Sequence, residues 1–421
     1  SCQWCCVCGK FLFAKEGRPE EKNSAEVSQS GEIKRRAGIS AEAQKTREIS
    51  KARDFGGRRR SICRKTNGRR SGRLAVLWGG LLGHLLLPDG EISRAERRRL
   101  AQLPAWSREA LADGSLAQKF EQYAQDQFPL RTQLRTARAL TQYGALGRRD
   151  NNGLYRAEGQ LGKLEYPLRE GEIAKGAEKF REVAERYFAG CDLYYAVVPD
   201  KNYYLAAGNG YPALDYGRLQ QLLRDGLPAQ FCEIPIADLL SAESYYATDI
   251  HWAQERILPV AQRIAAAMGV EQRIGWQQFQ TLSAGDFYGA YYGQAALPVQ
   301  PDTLRYLQSE ALERMQAWYL EGDRRGGIYD REAPEQSPDA YDLYLSGAEA
   351  LVEIYNPEGE GQLILLRDSF GSSLAPLLAQ GFAKVTVVDI RYIAPELLGR
   401  FIDFENKDVL FLYSTSVLNH S

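Results

Sequence analysis

The 421 residues are 44% hydrophobic and 25% charged with a formal net charge of −1, which is enough chain for two ordinary domains or one large one and carries no low-complexity signature of a fibre or repeat array. The charge is unevenly spread: residues 1–73 hold 19 of the 53 Lys and Arg and 8 of the 54 Asp and Glu, leaving 34 basic against 46 acidic residues downstream. An acidic body repels phosphates, so nucleic acid is not an expected partner.

Residues 1–73 lack hydrophobic periodicity and read as a basic, disordered head, or as translation begun upstream of the true start. Cys2, Cys5, Cys6 and Cys8 crowd its beginning and Cys63 follows, but no second cluster or histidine stands nearby to complete a tetrahedral metal site, and no metal or cofactor is expected. The head ends in arginine pairs and triplets and runs into the apolar stretch 74–87, LAVLWGGLLGHLLL. A basic flank before a short apolar run is the layout of a signal peptide or signal anchor. No small-residue cleavage site follows, so an uncleaved anchor is expected, with the rest of the chain on the extracytoplasmic face of the cell membrane.

Residues 88–150 are polar-rich with a mostly helical pattern, broken by Pro104 and Pro129, and read as a helical neck. The body, 151–421, opens at the turn-forming Gly153. Its apolar runs Leu193–Val198, Leu363–Leu366, Lys384–Asp389 and Val409–Tyr413 predict buried strands. The segment from Ser373 to Gln380 predicts a helix in which Pro376 is tolerable only within the first turn. Apolar strands alternating with helices give an α/β fold, a mostly parallel sheet with helices on both faces, whose sites gather at the carboxyl ends of strands. Cys191 and Cys232 are the body's two cysteines, as a pair or as separate thiols.

Three histidines occur, and two are poorly placed for chemistry: His84 lies in the apolar run and His420 is next to last. The third, His251, sits in Thr248-Asp249-Ile250-His251-Trp252 and is the side chain suited to proton transfer near neutral pH. Asp249 can orient it if the segment is a tight turn. Ser369 lies just past a predicted strand and just before a helix, where backbone N–H groups face a developing oxyanion. A hydroxyl needs such a base to become a nucleophile, and the base needs a carboxylate. Each residue also has a plainer reading: Ser369 as a helix cap, Asp249 as a cap for a helix near Trp252 interrupted by Pro259, and His251 as an idle histidine.

The segment 248–252 resembles the motif of the DHHW family of bacterial surface proteins. Further blocks resemble that family in order: Asp126-Gln127-Phe128-Pro129, Asn151-Asn152-Gly153, Pro199-Asp200-Lys201-Asn202-Tyr203, Tyr291-Tyr292-Gly293-Gln294, Asp368-Ser369-Phe370 and Val388-Asp389-Ile390-Arg391-Tyr392. The family is similar to SGNH-hydrolase-like O-acetyltransferases of alginate and other exopolysaccharides. The resemblance, covering about Pro88 to the C-terminus, implies an SGNH-like fold with Ser369 as nucleophile, His251 as base and Asp249 as its carboxylate. Two positions depart from the pattern. Ile250 replaces the second histidine of the family name, and Arg367 replaces the glycine that precedes Asp-Ser in related hydrolases.

The expected activity is therefore O-acetyl transfer to a cell-surface polysaccharide through a serine acyl-enzyme. Lys201, Trp252, Tyr292 and Arg391 are candidates to shape the substrate groove. A membrane protein that delivers acetyl groups is the other partner this reading admits. An acetyl esterase with the same three residues, or a non-catalytic carbohydrate-binding surface protein, are the alternatives.

Overall fold

The computed structural model describes Gly83, residues 87–405 and residues 407–420. The basic head, its cysteines and nearly all of the apolar stretch 74–87 lie outside the described residues. Among the described residues no helix is long and apolar enough to cross a membrane.

Asp89–Ser421 forms one unit around an eight-stranded sheet. Five of its strands run parallel: β5 (Asp192–Val198), β6 (Phe231–Glu233), β12 (Gln362–Arg367), β13 (Lys384–Val388) and β14 (Asp408–Ser414). Three short antiparallel strands, β9 (Gln316–Tyr319), β10 (Arg324–Gly326) and β11 (Leu351–Tyr355), extend one edge, giving the order β10-β9-β11-β13-β12-β14-β5-β6. Side chains alternate between two cores as a strand's two-residue period requires. Leu363, Leu365, Leu410 and Leu412 enter one, and Ile364, Leu366, Val409 and Phe411 enter the other. The first core is covered by α6 (Leu258–Ala267) and α8 (Phe370–Ala379), the second by α4 (Glu170–Tyr187) and α5 (Tyr216–Gly226). Burial on both faces is why these strands read as continuous apolar runs.

Helix α8 is buried at all ten positions, which explains its apolar sequence. It starts at Phe370, three residues ahead of the predicted start, so Pro376 falls in the helix interior and forfeits the N–H that would reach back to Ser372. The proline near Trp252 behaves differently: α6 begins only at Leu258, with Pro259 in its first turn. Cys191 and Cys232 are separate thiols, and the Cys191 Sγ lies 3.0 Å from the Phe404 carbonyl.

The predicted neck is helical in its second half, with α1 (Arg108–Ala112), α2 (Ser115–Asp126) and α3 (Arg131–Leu140); Pro129 separates α2 from α3. Its first part is not helical. Residues 92–99 form a hairpin of β1 (Ile92–Ser93) and β2 (Arg98–Arg99), with Arg97 at φ 52°. Tertiary charge pairing overrides the helical pattern here. Glu96 meets Arg98, Arg131 and Arg135, while Asp126 accepts from Arg98 Nη1 and Nη2 at 2.7 and 2.5 Å and from the Ala101 N–H at 2.9 Å. Gln127 clamps the hairpin's entry, accepting from the Gly90 N–H at 2.9 Å and donating to the Gly90 and Ala101 carbonyls. The block Asp126-Gln127 is thus a latch. Asp126→Ala leaves three donors without their acceptor at a part-buried site and is expected to lower stability by about 1–3 kcal/mol in urea titrations. A change below about 0.3 kcal/mol would show that the latch is not holding the hairpin.

Candidate active site

Strand β12 delivers the serine. Asp368, fully buried at its end, accepts from the Phe370 N–H at 3.0 Å through Oδ1 and from the Ser414 N–H at 2.7 Å through Oδ2, which fixes the turn into α8 against the neighbouring strand β14. Ser369 occupies the N-cap position of α8, yet its hydroxyl makes no capping bond. It lies instead 2.7 Å from His251 Nε2. The other helix-start amides are already used: Phe370 by Asp368 Oδ1, Gly371 by the Asp368 carbonyl and Ser372 by the Ser369 carbonyl. That leaves the Ser369 N–H as the amide of this turn with no acceptor among the described residues. The helix terminus is a narrower oxyanion site than a strand-to-helix context suggests.

His251 comes from a tight loop, closed by the Tyr246 N–H on the His251 carbonyl at 3.1 Å and an isolated bridge between Tyr245 and Trp252. Asp302 holds the loop from outside, accepting from the Ala247 N–H, the Thr248 N–H and the Thr248 hydroxyl at 2.8, 2.8 and 2.6 Å. Gly289 has no room for a side chain, because a Cβ there would overlap the Thr248 carbonyl and stand 2.5 Å from Asp249 Cβ. Tyr341 stacks on the imidazole, with ring centroids 4.0 Å apart and planes within 10°.

Asp249 is fully buried. Its Oδ1 accepts from the His251 N–H at 2.9 Å and lies 2.6 Å from His251 Nδ1; its Oδ2 accepts from Arg97 Nη1 at 2.6 Å and from the Ala290 N–H at 2.5 Å. Desolvation works to raise its pKa, but the Arg97 charge, together with His251, holds the carboxyl well below the ordinary range. A carboxylate on Nδ1 keeps the proton there and leaves Nε2 as the acceptor for the serine hydroxyl. The structure therefore brings Ser369, His251 and Asp249 together in the order a nucleophile, base and orienting acid require. Arg97 escapes sequence reading because it lies in the neck among other arginines.

The four groove candidates divide. Trp252 is fully buried and cannot line a groove; its indole Nε1 donates to the Ser373 hydroxyl at 2.8 Å and the Phe370 carbonyl at 3.2 Å, tying the histidine loop to the serine helix. Lys201 is equally buried, donating to the Leu161, Tyr246 and Ala247 carbonyls at 2.9, 2.6 and 3.3 Å, and so joins the loop to the hairpin of β3 (Leu154–Ala157) and β4 (Gln160–Lys163). Tyr292 is half-buried against Tyr288, and Arg391 is exposed while bonding Asp389 through Nε and Nη2 at 2.8 and 2.6 Å. Both keep accessible surface. Among the described residues no cluster of three His, Cys, Asp or Glu side chains is placed to hold a metal.

With His251 and Asp249 buried and Ser369 partly exposed, the three side chains stand in line at the carboxyl end of a mostly parallel α/β sheet, where sites of such folds gather. The fold is that of a DHHW family protein from Eubacterium siraeum, with 20% sequence identity over 63% of this chain and 91% of that one at a TM-score of 0.53. Bacillus cereus PatB1, solved with a sulfonyl adduct, aligns at 19% identity over 63% of this chain and 95% of that one, with a TM-score of 0.50. No family model and no curated protein sequence matches the chain.

Desolvation pushes the Lys201 ammonium down to about 7, against the opposing pull of Asp249 and Asp302. Above that value the folded chain has released a proton that the unfolded chain still holds, so this group's contribution to stability rises with pH up to the ordinary lysine range. Lys201→Met removes the titration, and its stability deficit against wild type is expected to widen from about pH 6.5 to about pH 9.5 in urea unfolding. A deficit equal at both values would show that the lysine keeps its proton throughout.

Proposed function

We propose that the chain is an extracytoplasmic O-acetyltransferase that modifies a cell-surface polysaccharide through an acetyl-Ser369 intermediate. The observation that carries this reading is the continuous line Ser369 Oγ, His251 Nε2, His251 Nδ1, Asp249 Oδ1, with separations of 2.7 and 2.6 Å at its two hydrogen bonds. His251 takes the serine proton as Oγ attacks the acetyl carbonyl of the donor. Collapse of the tetrahedral adduct breaks the bond to the donor oxygen, which leaves with that proton. A sugar hydroxyl then gives its proton to His251 and attacks the acetyl-serine, and the proton returns to Ser369 as the product ester departs. Asp249 stays ionised throughout and stabilises the imidazolium.

The choice of acetyl group and polysaccharide rests on the resemblance of the sequence blocks to the exopolysaccharide acetyltransferases. The membrane location rests on the basic flank and apolar run ahead of residue 88, and a membrane protein that supplies acetyl groups would fit that setting. The sulfonyl adduct carried by PatB1 suggests a probe, since sulfonyl fluorides sulfonylate activated serines, with loss of fluoride. Hydrolysis is the competing outcome, and one observation favours it: Ser369 is partly exposed, so water can reach the acyl group.

The full chain is expected to hydrolyse 4-nitrophenyl acetate slowly, to be labelled at Ser369 by phenylmethanesulfonyl fluoride, and to form acetyl-sugar when an oligosaccharide acceptor is added. Ser369→Ala should lower kcat by about 10⁴- to 10⁶-fold, with His251→Ala similar and the double variant no worse than either alone. Asp249→Asn is expected to lower kcat by roughly 10²- to 10⁴-fold through the wrong imidazole tautomer. Acetate release unchanged by every acceptor tested would favour the esterase. Absence of both turnover and labelling in wild type would end both enzymatic readings.

A further inference from the structure

Arg97 reaches the centre of the site from a hairpin 152 residues ahead of Asp249 in the chain. Its guanidinium bridges two carboxylates: Nη1 donates to Asp249 Oδ2 at 2.6 Å, and Nη2 pairs with Asp339. Both carboxylates govern the same imidazole. Asp249 holds its Nδ1, and Asp339 accepts from the Tyr341 N–H at 3.0 Å, starting the turn whose tyrosine ring stacks on the His251 face. We infer that Arg97 is a positioning residue for His251, fixing the edge and the face of the ring at once, and that the 92–99 hairpin is part of the catalytic unit rather than a spacer. The inference rests on the serine-triad reading above.

Three further features support the assignment, and none of them touches the triad. Arg97 holds a left-handed backbone conformation at φ 52°, which non-glycine residues adopt rarely and at some energetic cost, so the surroundings must hold it there. The hairpin is seated on Gly293, where a Cβ would overlap the Ala95 carbonyl, and the Gly293 carbonyl in turn accepts from Arg135 Nη2 at 2.6 Å. Glu96 and Arg98, on either side of Arg97, are tied to α2 and α3 by the charge network described above. The sequence thus places Arg97 between two anchored residues and leaves its fork to span both acids. A lysine supplies the charge but not a planar two-pronged donor.

The test compares full-length wild type, Arg97→Ala and Arg97→Lys on 4-nitrophenyl acetate, with phenylmethanesulfonyl fluoride labelling of Ser369 run in parallel. Arg97→Ala is expected to lose about ten- to a hundredfold in kcat with KM unchanged, and Arg97→Lys to lose less. Guanidinium ion at millimolar concentration should restore part of the kcat of Arg97→Ala while leaving wild type unaltered, because the ion can re-enter the space between Asp249 and Asp339. A purely structural salt bridge predicts no such rescue. Gly293→Ala, which displaces the hairpin without removing a polar atom, should lower kcat in the same direction.

Wild-type kcat in Arg97→Ala overturns the inference, as does a loss in folded Arg97→Ala that guanidinium does not restore. Should Arg97→Ala not fold, Arg97→Lys decides, and wild-type kcat there overturns it. In all of these cases an active, Ser369-labelled wild type leaves the triad reading standing. A wild type that neither turns over nor labels sinks both.

Discussion

The site depends on keeping one carboxylate charged in the interior. Asp249 is fully buried, and an isolated buried charge costs several kcal/mol, enough to drive protonation or unfolding. Four donors prevent this: the His251 N–H and Nδ1 on one oxygen, and Arg97 and the Ala290 N–H on the other. They come from three separate parts of the chain, so the carboxylate is satisfied only when the neck hairpin, the histidine loop and the helix starting at Ala290 are all docked. The same four bonds that make Asp249 tolerable also aim the imidazole. Stability and the geometry of the site are therefore set together at this point.

Around that centre the fold divides the work. The parallel strands carry the serine to the rim, and Asp368 locks β12 to β14 there. The histidine loop sends Tyr245, Tyr246 and Trp252 into the first core, and polar clamps fix its backbone. Asp302 holds its amides, Lys201 gathers its carbonyls and Trp252 ties it to the serine helix. Trp252 couples the segments that carry His251 and Ser369, since its indole bonds to the Phe370 carbonyl and the Ser373 hydroxyl of the helix that Ser369 begins.

Much of this was legible in the sequence, and the parts that were not have a common cause. The four apolar runs became β5, β12, β13 and β14 because a strand buried on both faces announces itself by composition. Ser369 was placed by its strand-to-helix context, and the approach of Asp249 and His251 followed from spacing once a tight turn was assumed. What escaped depends on partners distant in the chain. Arg97 is one arginine among several in the 94–99 run, and only Asp249 and Asp339 distinguish it. Lys201 and Trp252 sit in recognisable blocks, but sequence does not say which way a polar side chain faces, and both turned inward to bond backbone and helix.

The two departures from the DHHW pattern are explained by the same inward accounting. Ile250, standing where the family name places a second histidine, packs partly buried against two apolar clusters, and the imidazole that meets Ser369 comes from His251 alone among the described residues. Arg367, standing where related hydrolases have glycine, is almost wholly buried and lies under the first turn of α8, where a Cβ at Gly371 would stand 2.5 Å from Arg367 Cβ. The close approach that a glycine before the serine would permit is provided here by a glycine after it. Among the described residues Arg367 pairs with Asp389, 3.7 Å from its Nη1, while its Nε and Nη2 have no hydrogen-bond partner. Burial therefore lowers its pKa below the ordinary arginine value, the Asp389 charge opposing the shift. With the helix-start amides mostly committed to Asp368 and Ser369 carbonyls, the Ser369 N–H is the donor this turn retains for an oxyanion, and any second donor must come from outside it.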